Sequence, residues 1–222
     1  MKNKQWFWSM LMILAAVPCV RAEDAKKTVD LCSAEAFADF DCSLTDGAAR
    51  DDVYSLADDG VLEINGKKFG FLATKKLYKN VTIRAEYALG DAKTNAGFLV
   101  RLTAPSKTFL PRCVEIQLMT GESGDLYGFH GLLIDGTADR FESDKNHEFA
   151  GDYCWVHALR QVENGVGEWN QLEIVAFEDF VLVRINGQVV NWAWNVENVA
   201  GRVAFQSEGG PIRWRNVTLT EE

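Results

Sequence analysis

The sequence lacks the short motifs that identify the common metal, nucleotide and serine-hydrolase enzymes. Only three of its 222 residues are histidines, and His130, His147 and His157 do not have the HExxH spacing of a zinc site. The chain also contains no glycine-rich phosphate loop, no GxSxG turn and no CxxC pair. We therefore predict no metal ligands from these motifs, and any chemistry must come from other residues.

The sequence has little that could cross a membrane. Its one long apolar run, Trp6 to Val17, follows two lysines and precedes the small residues around Ala22. This pattern predicts a secretory signal peptide over residues 1–22, and hence a secreted or periplasmic protein without a membrane span after its removal. Cys19 leaves a lipoprotein anchor as an alternative, although its neighbours fit a lipobox poorly.

Positive charge is scarce. Without Lys2, Lys4 and Arg21, the 23 basic residues of the chain fall to 20 against 32 acidic ones, a net charge near −12. Such a surface repels nucleic acid and anionic lipid. We expect no nucleic-acid partner, and the composition suits an exported protein that handles neutral ligands.

Four cysteines remain after residue 22, an even number that suggests disulfides in an exported protein. Three pairings are possible. We favour Cys32–Cys42, which is local in sequence, and Cys113–Cys154, which would tie a long loop to a strand.

Helical periodicity is also scarce, and short strands dominate from Val53 onward. Asn186-Gly187 is a strong signal for a two-residue hairpin, and Asn65-Gly66 is a second one. With 18 glycines and no linker-like segment, residues 23–222 are predicted to form one all-β domain, a sandwich or jelly roll. A short helical turn is expected over Ala34 to Phe40.

The segment from Gly121 to Arg160 interrupts the strand pattern. It is rich in glycine and holds all three histidines. A long stretch without regular structure in a compact domain is often functional, and the alternative is a surface loop pinned by Cys154.

One predicted strand places polar groups on a single face. Val114, Ile116 and Leu118 alternate with Glu115 and Gln117, so the two polar residues share the face away from the core. On the preceding strand, Arg101, Gly97 and Asn95 share a face by the same period of two. A carboxylate, an amide and a guanidinium would then converge on an open surface. The alternative is a solvated face with a cross-strand ion pair.

Sugar sites combine such directed polar groups with aromatic platforms. The candidate aromatic residues of this chain are Tyr127, Trp155, Trp169, Trp192, Trp194 and Trp214.

Several motifs, taken in order, resemble the bacterial 3-keto-disaccharide hydrolase domain family, long catalogued as a domain of unknown function. The motifs are Thr94 to Arg101, Val114 to Gln117, Gly124 to Gly128, Gly167 to Asn170, Ile185 to Gly187 and Gly201 to Leu219. The resemblance implies a concanavalin-like jelly-roll sandwich of two curved antiparallel sheets, with a site on the concave face. It also implies an exported protein that acts on glycosides oxidised at C3, by hydrolysis or by elimination and hydration.

The chemistry implied by the resemblance can be assigned to residues. Glu115 is the predicted base that removes the C2 proton, and Arg101 would stabilise the enolate oxygen. His130 or Tyr127 would serve as the acid or an orienting group. Gln117 and Gln206 would hold sugar hydroxyls, and Asn95 would shape the entry to the strand. A divalent cation could replace Arg101 in its role.

Glu208 stands in a segment where family members often carry histidine, and it is a candidate substrate-binding residue. This difference keeps a second hypothesis open, a non-catalytic carbohydrate-binding module of the same fold. A third hypothesis is a structural module whose concave face is filled by residues 121–160.

Overall fold

The computed structural model describes residues 26–104 and 108–222. The predicted signal peptide and Cys19 lie outside the described residues. Within these described residues, sixteen strands form two antiparallel sheets. The first sheet contains β1 (Thr28–Asp30), β3 (Tyr54–Leu56), β4 (Leu62–Ile64), β6 (Val81–Leu89), β12 (Asn170–Phe177), β13 (Phe180–Ile185), β14 (Gln188–Ala193) and β16 (Ile212–Glu221). The second contains β2 (Asp41–Leu44), β5 (Gly70–Ala73), β7 (Gly97–Ala104), β8 (Arg112–Gln117), β9 (Leu126–Gly128), β10 (Phe141–His147), β11 (Gly151–Val156) and β15 (Arg202–Ser207).

The strand order shows that the chain crosses repeatedly between the sheets. The first sheet runs β14-β13-β12-β6-β16-β4-β3, with β1 also paired to β16, and the second runs β10-β11-β9-β8-β7-β15-β5-β2. One helix, α1 (Ala34–Asp39), begins at Ser33, whose side chain accepts a hydrogen bond from the Ala36 N–H. The predicted all-β jelly-roll sandwich and the short helical turn are both confirmed.

The main core lies between the sheets. Alternate residues point inward along the central strands, as Val114 and Ile116 do on β8, and Leu118 directly after β8 is also buried in this core. Trp214 lies fully buried at the centre, with its ring 5.6 Å from that of Phe98 and 5.3 Å from that of Phe205. Trp214 is therefore a core residue, and its selection as a ligand platform was wrong.

The two Asn-Gly pairs have different structures. Asn186 and Gly187 both have positive φ, as a type I′ turn requires, and they join β13 to β14 as predicted. Asn65-Gly66 does not form a hairpin, because β4 and β5 lie in different sheets. It is instead a corner where the backbone approaches Gly210 so closely that a Cβ on Gly66 would lie 2.2 Å from the Gly210 carbonyl oxygen.

The segment 121–160 is not an irregular loop. It supplies β9, β10 and β11, which extend the second sheet to its edge. Two properties hid these strands from the sequence pattern: β9 has three residues, and residues 142–147 of β10 are all exposed, so they show no alternation.

The predicted disulfides are absent, and all four cysteines in the described residues are free. Cys154 packs in the main core, whereas Cys113 points to the opposite face of the same sheet, and β9 separates their strands. Two strand spacings amount to about 10 Å, beyond the roughly 7 Å limit for a disulfide. Cys32 and Cys42 lie on different sheets, since Cys32 follows β1 and Cys42 belongs to β2.

Candidate active site

The outer face of the second sheet, the face turned away from the main core, carries one continuous row of paired side chains. Each residue of the row lies opposite the next on the neighbouring strand. From the β10 edge inward, the row is Glu142, Trp155, Tyr127, Glu115, Leu99 and Ala204. Glu115 thus lies between the aromatic rings of Tyr127 and Trp155 on one side and the apolar side chains of Leu99 and Ala204 on the other. The alternation in β8 predicted that Glu115 lies on this face.

Glu115 and Gln206 meet above a glycine. Their strands, β8 and β15, flank β7, and Gln206 Nε2 donates to Glu115 Oε2 over 3.1 Å. A Cβ at Gly97 would lie 2.6 Å from Gln206 Oε1 and 2.7 Å from Glu115 Oε1. The contact therefore requires glycine at position 97, because any side chain would occupy the space that these oxygens fill.

Glu115 is covered rather than open to solvent, at 1% exposure. This differs from the predicted open surface, although the residue does lie on the predicted face. Burial raises the pKa of Glu115 well above its usual range, and the negative charge of Glu208 raises it further. Burial and the neighbouring carboxylate therefore both favour the protonated form of Glu115.

Glu208 is the second carboxyl group of the site and follows β15 directly. Burial raises its pKa to about 7, while the nearby amides of Asn95 and Gln206 favour its charged form. Because Glu208 is less buried than Glu115 and receives this amide support, it ionises first. The pair therefore combines a carboxyl group whose protonated form is favoured with a second one whose pKa is about 7.

Three acceptor oxygens around this pair are buried without a hydrogen-bond partner among the described residues. They are Asn95 Oδ1, Glu115 Oε1 and Gln206 Oε1. Leaving a buried acceptor unpaired costs about 1–3 kcal/mol. Three such atoms in one place lower the stability of the fold, as polar groups of functional sites commonly do.

Four aromatic side chains form a band beside the carboxyl pair. The ring of Tyr127 stacks on Phe129 at 5.7 Å and lies 6.2 Å from the nearly parallel ring of Trp155. The ring of Tyr153 stacks on that of Trp155 at 5.0 Å. Burial and nearby acidic groups, Asp125 foremost, raise the pKa of Tyr127, so its hydroxyl stays protonated at neutral pH.

A histidine fixes the outer end of this band. Trp155 Nε1 donates to His157 Nε2 over 2.8 Å, which makes the other ring nitrogen, Nδ1, the donor to Asp125 Oδ2 at 2.9 Å. Asp125 in turn accepts the Ala158 N–H at 2.7 Å. The chain of bonds holds the indole plane in place.

Backbone contacts fix the loop that carries Glu208. The Asn95 N–H donates to the Gly209 carbonyl over 2.5 Å, and Thr94 Oγ1 donates to the Pro211 carbonyl over 3.0 Å. Gly210 has a φ of +81°, and a Cβ there would lie 2.6 Å from Thr94 Cα. The loop is therefore held against the segment before β7 on one side and against the Gly66 corner on the other.

Arg101 does not join this site, and its predicted convergence with Glu115 is wrong. Arg101 has a φ of 54°, and the register of β7 shifts here by one residue, which is a β-bulge. The bulge breaks the period of two and turns the guanidinium away from the face. Its nitrogens donate instead to the Glu197 and Glu178 carbonyls, at the ends of first-sheet strands.

His130 lies away from Glu115. It follows β9, and its Nε2 contacts the Leu110 carbonyl over 2.9 Å, before β8 begins. Gln117 does lie on the predicted face, paired with Gly97, and its Oε1 accepts the Leu118 N–H. The other predicted aromatic residues, Trp169, Trp192 and Trp194, belong to the first sheet or its loops.

Tyr153 and His157 belong to the site although neither was predicted to do so, whereas Trp155 was a predicted candidate. All three share the outer face because they alternate with Cys154 and Val156, which point to the core. This period of two is readable in the sequence, but the expectation of an irregular loop concealed it.

The described residues contain neither a metal-binding cluster nor a membrane-spanning helix. In residues 26–104 and 108–222, no group of three or more His, Cys, Asp or Glu side chains is arranged to hold a metal ion. Over the same residues, no helix has the length and apolar character needed to cross a membrane.

Paired carboxyl groups, unsatisfied acceptors and stacked aromatic rings on a β-sandwich define a carbohydrate-active class of protein. The model of the 3-keto-alpha-glucoside-1,2-lyase-like domain matches residues 45–220. The chain therefore belongs to this family, as the sequence motifs suggested. No curated protein matches the chain.

Solved structures show the same fold at low identity. A candidate glycosyl hydrolase from Parabacteroides distasonis is 19% identical, with a TM-score of 0.60 over 88% of this chain and 100% of that one. The carbohydrate-binding module CBM66 from Bacillus subtilis is 10% identical, with a TM-score of 0.57 over 81% of this chain and 95% of that one. The Bacillus licheniformis β-glucanase is 8% identical, with a TM-score of 0.56 over 89% and 98%.

Proposed function

We propose that the protein cleaves glycosides that carry a ketone at C3, with Glu208 as the group that moves the proton. The observation that supports this most is the carboxyl pair, in which Glu208 has a pKa of about 7 and lies beside Glu115, whose pKa burial raises. A carboxyl group that exchanges its proton near the working pH can act as base and then as acid. The family membership and the partly exposed stacked aromatic rings agree with a sugar substrate.

The reaction needs one base and one acid. The C3 ketone acidifies the C2 proton, which the Glu208 carboxylate removes to leave an enolate. The electrons of the enolate then form the C1–C2 double bond as the C1–O bond breaks. Glu208 returns the proton to the departing oxygen, so the products are an unsaturated keto sugar and the free alcohol. Addition of water across the double bond would complete a net hydrolysis.

Glu208 replaces Glu115 as the proposed base for two reasons. Burial favours the protonated form of Glu115, which makes it a poor proton acceptor, and at 1% exposure it cannot reach a sugar directly. We assign Glu115 as a positioning residue that orients Gln206 through their 3.1 Å hydrogen bond. The protonated hydroxyl of Tyr127 is the proposed donor to the enolate oxygen, in place of Arg101.

The test uses purified protein and two chromogenic substrates, 4-nitrophenyl glucoside and its 3-keto derivative, with and without added divalent cations. Nitrophenolate should be released from the keto compound only. A keto sugar without a leaving group should exchange its C2 proton for deuterium in D₂O faster with the protein than without it. Equal release from both glucosides would contradict the proposal, because the ketone would then be unnecessary.

A non-catalytic carbohydrate-binding module is the second candidate, and the aromatic band favours it. Tyr127, Tyr153 and Trp155 are partly exposed, as a stacking platform requires. In this case the keto sugar would bind in calorimetry, without release of nitrophenolate or exchange of the C2 proton. Such a protein would also bind the unoxidised glucoside.

A further inference from the structure

A second group of aromatic side chains lies on the other side of Glu208. The phenylalanine cluster consists of Phe69, Phe109 and Phe149, with ring centroids 5.0 Å apart for the first pair and 5.6 Å for the second. Phe69 and Phe149 are 40% and 42% exposed. Exposed phenylalanine rings in contact with one another form an apolar surface that water solvates poorly.

The cluster adjoins the carboxyl pair. The ring of Phe69 lies 3.9 Å from the position of a Cβ on Gly209, the residue after Glu208. Through His147, whose ring lies 6.2 Å from Phe149 and 5.4 Å from Tyr153, the cluster also continues into the aromatic band. Aromatic walls therefore flank Glu208 and Glu115 on both sides.

The two walls differ in chemistry. The aromatic band has the tyrosine hydroxyl groups of Tyr127 and Tyr153, which can bond sugar hydroxyls, whereas the phenylalanine cluster has no polar group. A pocket of about 450 Å³ lies against Phe109 and Phe149, a size suited to a small ligand. Its opposite wall is formed by residues 43–46, and the carboxylate of Asp46 there is paired with Lys68 at 2.9 Å. The pocket is therefore apolar on one side and without unpaired charge on the other.

We propose that this pocket holds an aromatic leaving group, so that the substrates are aryl 3-keto-glycosides. The inference depends on the proposed function, and it adds the class of aglycone. The sugar would lie over the aromatic band, with its C1–O bond directed past Glu208 toward the phenylalanine cluster. The hydroxyls of Ser43 and Thr45 on the pocket wall suit a phenolic ring.

The first experiment measures binding of a free phenol and does not depend on turnover. Binding of 4-fluorophenol is followed by ¹⁹F NMR for the wild type, Phe149→Ala and the matched control Phe177→Ala. Phe177 is 43% exposed, close to Phe149, but lies at the end of β12 in the first sheet. We expect Phe149→Ala to weaken binding about tenfold and Phe177→Ala to leave it unchanged. Equal binding by all three proteins would overturn the proposal.

The second experiment compares an aryl and an alkyl 3-keto-glucoside of matched leaving-group acidity. The wild type should prefer the aryl compound, and in Phe149→Ala the ratio of the two kcat/KM values should fall about tenfold. Phe149→Leu, which keeps an apolar side chain, should retain part of the preference. If neither compound is cleaved, the proposed function is wrong, but the titration with 4-fluorophenol still shows whether the pocket binds an aromatic ring. Cleavage of both with no preference would overturn the aryl assignment alone.

Discussion

The carboxyl groups on the outer faces of the two sheets differ in whether they have ion-pair partners. On the first sheet, Glu173 is paired with Arg84 and Arg184, and Glu86 is paired with Arg215. On the second sheet, the described residues give Glu115 and Glu208 no ion-pair partner, and burial raises the pKa of both. Pairing stabilises a solvated surface at little cost, whereas two unpaired buried carboxyl groups oppose folding. The outer face of the second sheet therefore lowers the stability of the fold, as functional sites commonly do.

The largest effect should come from removing the proposed base. Glu208→Gln is expected to lower kcat on a 3-keto-glycoside about 10²–10⁴-fold, because the amide cannot accept the C2 proton. The melting temperature should stay the same or rise, since a buried charge is lost. The matched control is Glu173→Gln on the first sheet, which should keep near-wild-type kcat. A fully active Glu208→Gln would remove Glu208 from the mechanism.

Gly97→Ala tests the close approach of the Glu115 and Gln206 side chains above Gly97. The new methyl group would lie within 2.7 Å of two side-chain oxygens, so we expect a loss of about 1–3 kcal/mol in unfolding free energy, together with lower kcat. Gly165→Ala is the control, because its Cβ would meet nothing closer than 3.7 Å. Denaturant unfolding with m-values measures both. Equal stability of the two variants would show that Glu115 and Gln206 can separate without cost.

The pH dependence of stability separates the two faces. A carboxyl group whose folded pKa is raised makes the folded state bind more protons than the unfolded state, so its contribution to stability falls as pH rises. For Glu208 this window runs from its usual value of 4.5 to about 7. Glu208→Gln, which removes this titration, should therefore gain stability relative to the wild type as the pH rises from 4.5 to about 7. Chemical unfolding at several pH values measures this difference, and a gap that does not change with pH would contradict the raised pKa of Glu208.

The smallest effect is expected on the first sheet. Arg84→Met should change the unfolding free energy by less than about 1 kcal/mol, because the Arg84 side chain is 60% exposed and Glu173 keeps its contact with Arg184. Added salt should reduce even this change. A loss of several kcal/mol would mean that this face is not an ordinary solvated surface.

The sequence predicted the parts of the site that depend on regular alternation. The pattern in β8 placed Glu115 and Gln117 on the correct face, since strands repeat every two residues. It misplaced Arg101, because a single bulge reverses the alternation and leaves no clear mark in composition.

Long-range features were less predictable. The register of non-adjacent strands decides that Gln206 meets Glu115 and that Cys113 lies far from Cys154. No local pattern encodes that register. The raised pKa of Glu208 likewise follows from burial by residues distant in sequence, so the sequence could suggest an acidic group there without revealing its proton affinity.

The fastening of the loop at residues 208–211 has a consequence for changing the chemistry of this protein. The Glu208 side chain interacts with the amides of Asn95 and Gln206, but main-chain contacts at Gly66, Gly209, Gly210 and Pro211 also hold the loop. The side chain at position 208 can therefore be exchanged while the main-chain contacts keep the loop in place. Replacing Glu208 with histidine or aspartate would change the pH at which the site exchanges a proton, while the rest of the fold stays the same.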